Sequence, residues 1–191
     1  MNAFTSSSVI LDKLDGDLHI AKIKRLLHEG VIDLRVALRK IVLNENIASY
    51  MEIGVRRGYS MAMVAANSQC DITGIDLWIS NYAGVPTLGP DFIRSQMQKV
   101  NHSGMLDLYN GDSKTIVPTL EGNYDLITVD GDHSTEGALA DLRNCIERFN
   151  YALVFDDIDI SPEVQDAWKI IQQEYPGFQY EEHDMVGIIK K

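Results

Sequence analysis

Residues 124–158, YDLITVDGDHSTEGALADLRNCIERFNYALVFDDI, constrain the fold more than any other stretch of the chain. Two apolar runs, 126–129 and 152–155, flank a helical pattern, and each ends in acidic residues. The first opens onto Asp130, Asp132 and His133, the second onto Asp156 and Asp157. Short apolar runs on either side of a helical period read as two parallel strands joined through a helix. In an open α/β sheet, ligands bind outside the carboxyl ends of the strands. Adjacent strands would then present several carboxylates and one imidazole to a single crevice. That set suits a hard cation with a base beside it.

The same alternation runs through most of the chain. Strands are expected at 47–53, 71–75, 105–109, 124–129 and 152–155, and helices at 60–67, 91–100, 135–149 and 162–175, with a short helix at 114–119. A loop is expected at 77–90. The C-terminal stretch loses the helical period and reads as two strands, 178–182 and 185–190, turning at His183 and Asp184. This pattern implies an α/β fold: a Rossmann-like, seven-stranded, mostly parallel sheet with helices on both faces and an antiparallel C-terminal strand. Upstream, Ile20, Ile23, Leu26, Leu27, Val31, Leu34, Leu38, Ile41 and Val42 recur at helical spacing, with Gly30 dividing two helices. This N-terminal helical segment either packs on the sheet or covers a substrate site. Residues 1–17 are polar and Ser-rich and are expected to be poorly structured. The chain thus divides into a tail and helical cap, 1–46, and a sheet domain, 47–191, within one structural domain.

Composition narrows the classes. A length of 191 residues suits one domain with a sizeable core. A net charge of −11, from 17 basic and 28 acidic residues, argues against a nucleic-acid partner, whose binding rests on Lys and Arg. No apolar run nears the ~20 residues of a bilayer span, and the start lacks the basic flank and long apolar core of a signal peptide, so no membrane partner is expected. Cys70 and Cys145 fit no zinc or CxxC spacing and read as reduced, buried thiols of a cytoplasmic protein.

The first strand turns into a helix through EIGVRRGYS, residues 52–60. Glycines there let the backbone turn tightly and approach a ligand. In the dinucleotide fingerprint G-x-G-x-x-G, the second glycine admits a pyrophosphate. Arg56 stands at that position, so the loop suits a nucleoside-type ligand without a diphosphate better than NAD. Asp76 ends the second strand, where an acidic side chain can accept from both ribose hydroxyls. Asn110, Gly111, Asp112 and Ser113 end the third, with short polar groups able to hold an adenine edge. Trp78 has two readings, stacking near that ligand or ordinary packing. His133 likewise reads either as a base or as a cap on the helix that follows.

The ordered set EIGVRRGYS, GID, NGDSKTIVPTL, YDLITVDGDH and LVFDDI resembles the class I S-adenosylmethionine-dependent methyltransferases over roughly residues 47–160. More narrowly it is similar to the metal-dependent small-molecule O-methyltransferases of the macrocin and mycinamicin sugar type, with catechol O-methyltransferase more distant. The resemblance implies that Glu52, Gly54 and Ser60 line the methionine end of S-adenosylmethionine. It places Asp76, with Leu77 beside it, at the ribose and Asp112 and Ser113 at the adenine. Asp130 would border the cofactor and, with Asp156 and Asp157, bind Mg²⁺ or another divalent cation. His133 would be the general base. The N-terminal region and the 77–90 loop depart from the family pattern, and there such enzymes choose their substrates.

The expected acceptor is a small hydroxylated molecule, a sugar or another natural product. Two alternatives stand beside this reading. One is an NAD(P)-dependent oxidoreductase or epimerase, against which Arg56 and the lack of a Tyr-x-x-x-Lys pair both count. The other is a non-catalytic cofactor-binding module, which need not keep both the DGDH and DD sets. The sequence leaves the oligomeric state open, a homo-oligomer included.

Overall fold

The computed structural model describes residues 3–16, 18–79 and 88–191. Three helices come first: α1 (Ala3–Leu11), α2 (Leu18–Glu29) and α3 (Leu34–Asn44). The chain then alternates β1 (Ser49–Ile53), α4 (Tyr59–Ala65), β2 (Asp71–Asp76), α5 (Gly89–Lys99), β3 (Leu106–Asn110) and α6 (Ser113–Ile116), followed by a 3₁₀ turn over Val117–Thr119. It continues through β4 (Tyr124–Val129), α7 (Thr135–Cys145), β5 (Phe149–Phe155) and α8 (Pro162–Glu174) to the terminal strands β6 (Gln179–His183) and β7 (Val186–Lys190).

The seven strands form one sheet in the order β3-β2-β1-β4-β5-β7-β6. Pairing is parallel from β3 through β5; β7 runs antiparallel to β5, and β6 antiparallel to β7. This is the Rossmann-like sheet with antiparallel C-terminal strands. Strand order reverses between β1 and β4, so their carboxyl ends open the crevice where such sheets bind ligands.

The period-2 alternation of the strands sorts side chains between two cores. Tyr50, Leu126, Ala152 and Val154 face α1 to α5, with Leu11, Leu34, Leu38 and Met63. Met51, Ile53, Ile127, Val129, Leu153 and Phe155 face α7 and α8, with Leu142, Ile146 and Ile171. The N-terminal helices therefore share a core with the sheet.

Two expectations are corrected. The N-terminal stretch is not poorly structured throughout: it forms α1, whose Ile10 and Leu11, with Leu14 beyond, bury into the core beside α3 and α4. Burial of those apolar groups offsets the weak helix propensity of its serines. The helix expected over 135–149 stops at Cys145, because Phe149 opens β5 opposite Tyr124 and meets Phe178 with ring centroids 5.6 Å apart. Gly30 separates α2 from α3, and Asp33 caps α3 by accepting from the Val36 N–H at 3.0 Å. Of the 77–90 loop, residues 80–87 lie outside the described residues. Cys70 and Cys145 are free and buried, and burial pushes both thiols up in pKa. Among the described residues no helix is long and apolar enough to cross a membrane.

Candidate active site

Backbone hydrogen bonds continue the ladder past the strand ends and fix the floor of the crevice. Gly54 N–H donates to Ile75 O at 2.9 Å, Asp130 N–H to Ile53 O at 2.9 Å, Asp156 N–H to Val129 O at 3.1 Å and Gly111 N–H to Asp76 O at 3.0 Å. Gly54 adopts φ +86°, and a Cβ there would stand 1.7 Å from the Asp130 carbonyl oxygen. Only glycine fits this close approach of the β1–α4 turn to β4.

At the end of β2, the Asp76 carboxylate is held from both sides. One oxygen accepts from the Arg56 N–H at 2.7 Å, the other from the Trp78 N–H at 2.6 Å. Each oxygen keeps a second lone-pair direction for a ligand. Leu77 beside it is exposed. Trp78 is partly buried and packs against the core on the α1–α5 face, the packing reading of that residue. Asp112 caps α6 by accepting from the Lys114 N–H at 2.9 Å, and the Ser113 hydroxyl donates to Asp141 at 2.6 Å. Burial pushes the Asp141 carboxyl up to about 6.

Glu52 lies beneath the crevice rather than in it, with 0% of its surface exposed. Its carboxylate accepts from the Ser60 hydroxyl and, at 2.7 Å, from the Tyr50 hydroxyl, and that hydroxyl also lies 2.9 Å from the Thr128 hydroxyl oxygen. Burial pushes the Glu52 carboxyl up to about 8, although both hydroxyls act to lower it. It braces Ser60 at the start of α4. The α1–α2 turn docks on the same loop: the Asp15 carbonyl accepts from Arg57 at 3.1 Å, and Arg57 lies 4.8 Å from the Phe92 ring centroid.

The acidic side gathers at the ends of β4 and β5. His133 Nε2 lies 3.6 Å from Asp130 Oδ1 and 3.8 Å from Asp157 Oδ2. One ligand atom from each of Asp130, His133 and Asp157 lies within 4.8 Å of the other two. The Asp130 carboxylate raises the His133 pKa above the ordinary imidazole value, against the opposing effect of partial burial, and Asp157 and Asp132 add to the rise. Asp157 has φ +58°. Burial and then Asp130 push its carboxyl up.

Asp132 stays out of this group. It accepts from the Ser134 N–H at 2.9 Å, and Ser134 in turn caps α7 through the Gly137 N–H at 3.1 Å. The cap on α7 is thus Ser134, which leaves the His133 ring facing the carboxylates.

Asp156 points into the α3 layer. It is 5% exposed, its Oδ2 lies 3.9 Å from Arg35 Nη1, and its Oδ1 is buried without a hydrogen-bond partner. Burial, then Asp130, drives its carboxyl well above the usual range, with Arg35 opposing. A buried carboxylate oxygen without a donor is costly unless a proton or a cation satisfies it. The Asp130, His133 and Asp157 cluster is a donor set that fits a divalent cation, and Asp156 stands outside that 4.8 Å group.

Sequence reasoning missed Arg35, which is 8% exposed and paired with Asp33, and missed Asp141 and the Tyr50–Thr128 bracing of Glu52. The signal was parity. Residues 52, 130 and 156 fall on the strand face shared with Tyr50, Leu126 and Val154, which meets the N-terminal helices.

A family described as a methyltransferase domain matches residues 51–158. The matched stretch spans the crevice from β1 to the acidic end of β5. No curated protein sequence matches the chain. Among solved structures, the O-methyltransferase NovP superposes with a TM-score of 0.68 at 16% identity, covering 82% of this chain and 78% of NovP. The SAH-bound Podospora anserina methyltransferase PaMTH1 gives 0.63 at 15% identity, covering 100% of this chain and 88% of that one. TomG from Streptomyces achromogenes, an O-methyltransferase of tomaymycin synthesis in complex with SAM, gives 0.59 at 14% identity, covering 100% and 89%. The fold is that of the class I methyltransferases. The chain belongs to the methyltransferase-domain family.

Proposed function

We propose that the chain transfers the methyl group of S-adenosylmethionine to a hydroxyl of a small molecule, in the cytoplasm and with the aid of a divalent cation. The observation that carries this reading is the grouping of Asp130, His133 and Asp157 within 4.8 Å at the switch point, beside the Gly54 turn. Names of the structural neighbours, O-methyltransferases among them, agree with an oxygen acceptor.

Asp76 accepts from the ribose hydroxyls with the lone pairs its backbone donors leave free. Gly54 and Ser60 border the methionine end, and Glu52 acts there by bracing Ser60. Asp112 and Ser113 border the adenine. Asp130, Asp156 and Asp157 hold the cation, since Mg²⁺ prefers oxygen ligands. When bound, such a cation supplies positive charge that lowers the pKa of an acceptor hydroxyl. His133 receives the hydroxyl proton at Nε2, and Asp130 and Asp157 orient its ring and stabilise the resulting charge. Fixing both reactants against one floor supplies further rate by orientation.

A second assignment of the same groups is favoured by one feature of the geometry: His133, not Asp156, completes the close cluster. In that case the imidazole is a ligand, and an ion that takes imidazole, such as Zn²⁺ or Fe²⁺, is preferred to Mg²⁺. Metal affinity that survives in His133→Ala supports the base; metal affinity lost in it supports the ligand.

The net charge of −11 favours a small acceptor over nucleic acid. The test is a screen with labelled S-adenosylmethionine against sugars, phenols, hydroxylated natural products, RNA and protein, with and without Mg²⁺. Label in a low-molecular-weight hydroxyl compound is the expected result. Preferential label in RNA or protein would overturn the acceptor class.

A further inference from the structure

Arg35 is a buried cation beside an acid at the carboxyl end of β5. It sits in the first turn of α3, 8% exposed. Its Nε and Nη2 both lie 3.0 Å from Asp33 Oδ2, and its Nη1 lies 3.9 Å from Asp156 Oδ2. Asp33 is itself fully buried, and its other oxygen caps α3 at the Val36 N–H, 3.0 Å away. One fork of the guanidinium is thereby fixed to the helix terminus, and the remaining arm faces Asp156. The field of Arg35 also reaches Glu52 and Asp157, and that of Asp130 reaches Arg35.

This arrangement makes the two oxygens of Asp156 inequivalent. Oδ2 faces Arg35, whereas Oδ1 is buried with no partner. At 3.9 Å the contact is an ion pair rather than a hydrogen bond, so Arg35 holds that carboxylate by charge. We infer that Arg35 is a positioning residue: anchored by Asp33, it turns Asp156 so that Oδ1 remains free for a divalent cation. The inference rests on the cation site proposed above. It makes α3 a working part of the active site rather than a covering element, because the cap of that helix sets the orientation of a ligand one layer away.

Two effects of Arg35 on cation binding have opposite signs. As a bare positive charge it repels a second cation, and its removal would tighten binding. As a clamp it presents a ligand oxygen, and its removal would loosen binding. Partners that orient metal ligands typically contribute about 10–100-fold to metal affinity.

The experiment is Mn²⁺ binding to the full chain without S-adenosylmethionine, followed by electron paramagnetic resonance and calorimetry, for wild type, Arg35→Gln and Asp33→Asn. Each is measured well below its own unfolding midpoint. Asn caps a helix about as well as Asp, so Asp33→Asn keeps α3 while removing the anchor of Arg35. Arg35→Gln is expected to weaken Mn²⁺ by about tenfold or more. Asp33→Asn should weaken it in the same direction, although Asp33 lies outside the cation cluster. A folded Arg35→Gln protein with unchanged or tighter Mn²⁺ binding would overturn the clamp. Should Arg35→Gln fail to fold, Asp33→Asn decides alone: weaker binding upholds the clamp, and wild-type binding overturns it. Wild-type protein that binds no Mn²⁺ would overturn the cation site itself, and the clamp with it.

Discussion

His133 lies 3.6 Å from Asp130 and 3.8 Å from Asp157, so alanine at this position removes the only imidazole of the cluster without touching Gly54 or Asp76. His133→Ala should lower kcat by ~10²–10⁴-fold and leave S-adenosylmethionine affinity nearly unchanged, read by steady-state kinetics and calorimetry. A folded variant with wild-type kcat would remove His133 from the mechanism. Glu52 makes a separate prediction about stability. Its folded-state pKa of about 8 lies above its ordinary 4.5, so the folded chain keeps a proton that the unfolded chain releases. That contribution is complete below the unfolded value and is lost as pH rises through the folded one, by at most ~1.4 kcal/mol per pH unit. Glu52→Gln carries no such proton. Its urea midpoint relative to wild type should therefore climb between about pH 5 and about pH 8. Parallel pH profiles for the two proteins would contradict the buried, proton-holding carboxyl. The strand-end acids were legible in the sequence because each closes an apolar run. Arg35 was not, since an arginine in an amphipathic helix looks like any solvated face until the helix is packed on a particular side of the sheet.

At the scale of elements, the β1–α4 turn depends on one backbone position. Gly54 combines φ +86° with an approach that leaves 1.7 Å between a built Cβ and the Asp130 carbonyl. Gly54→Ala must therefore push β1 and β4 apart or abandon the left-handed turn. The expected cost is several kcal/mol, on the order of the largest single-site effects, together with loss of S-adenosylmethionine binding. Chemical denaturation and calorimetry check both, and a variant with wild-type stability would contradict the close approach. Elements whose apolar period is local were readable: all seven strands were expected within two residues of their observed starts, apart from β5. The exception has a physical cause. Phe149 continues the helical period of α7 in sequence, but its ring is buried against Phe178 and its backbone pairs with Tyr124. Helix α1 was unreadable for a related reason, because its stability comes from Ile10 and Leu11 meeting α3 and α4.

At the scale of the molecule, the strand order places β1 and β4 side by side, so the β1–α4 turn and the acidic loops from β4 and β5 share one crevice. The N-terminal helices close the same face, through Asp15 on Arg57 and through Arg35 beside Asp156. The β1–α4 turn, the acidic strand ends and the helical layer are therefore mechanically continuous, although the sequence alone left open whether that layer packs on the sheet or covers a substrate. The central claim is that turnover needs a cation at the ends of β4 and β5. Its most direct test is a titration of Mg²⁺ into protein freed of metal with EDTA, following methyl transfer to the acceptor found by the labelled screen. Turnover should rise from background to a plateau as Mg²⁺ is added, and the Asp156→Ala Asp157→Ala protein should stay at background throughout. Full turnover in EDTA, or in that double variant, would contradict the account.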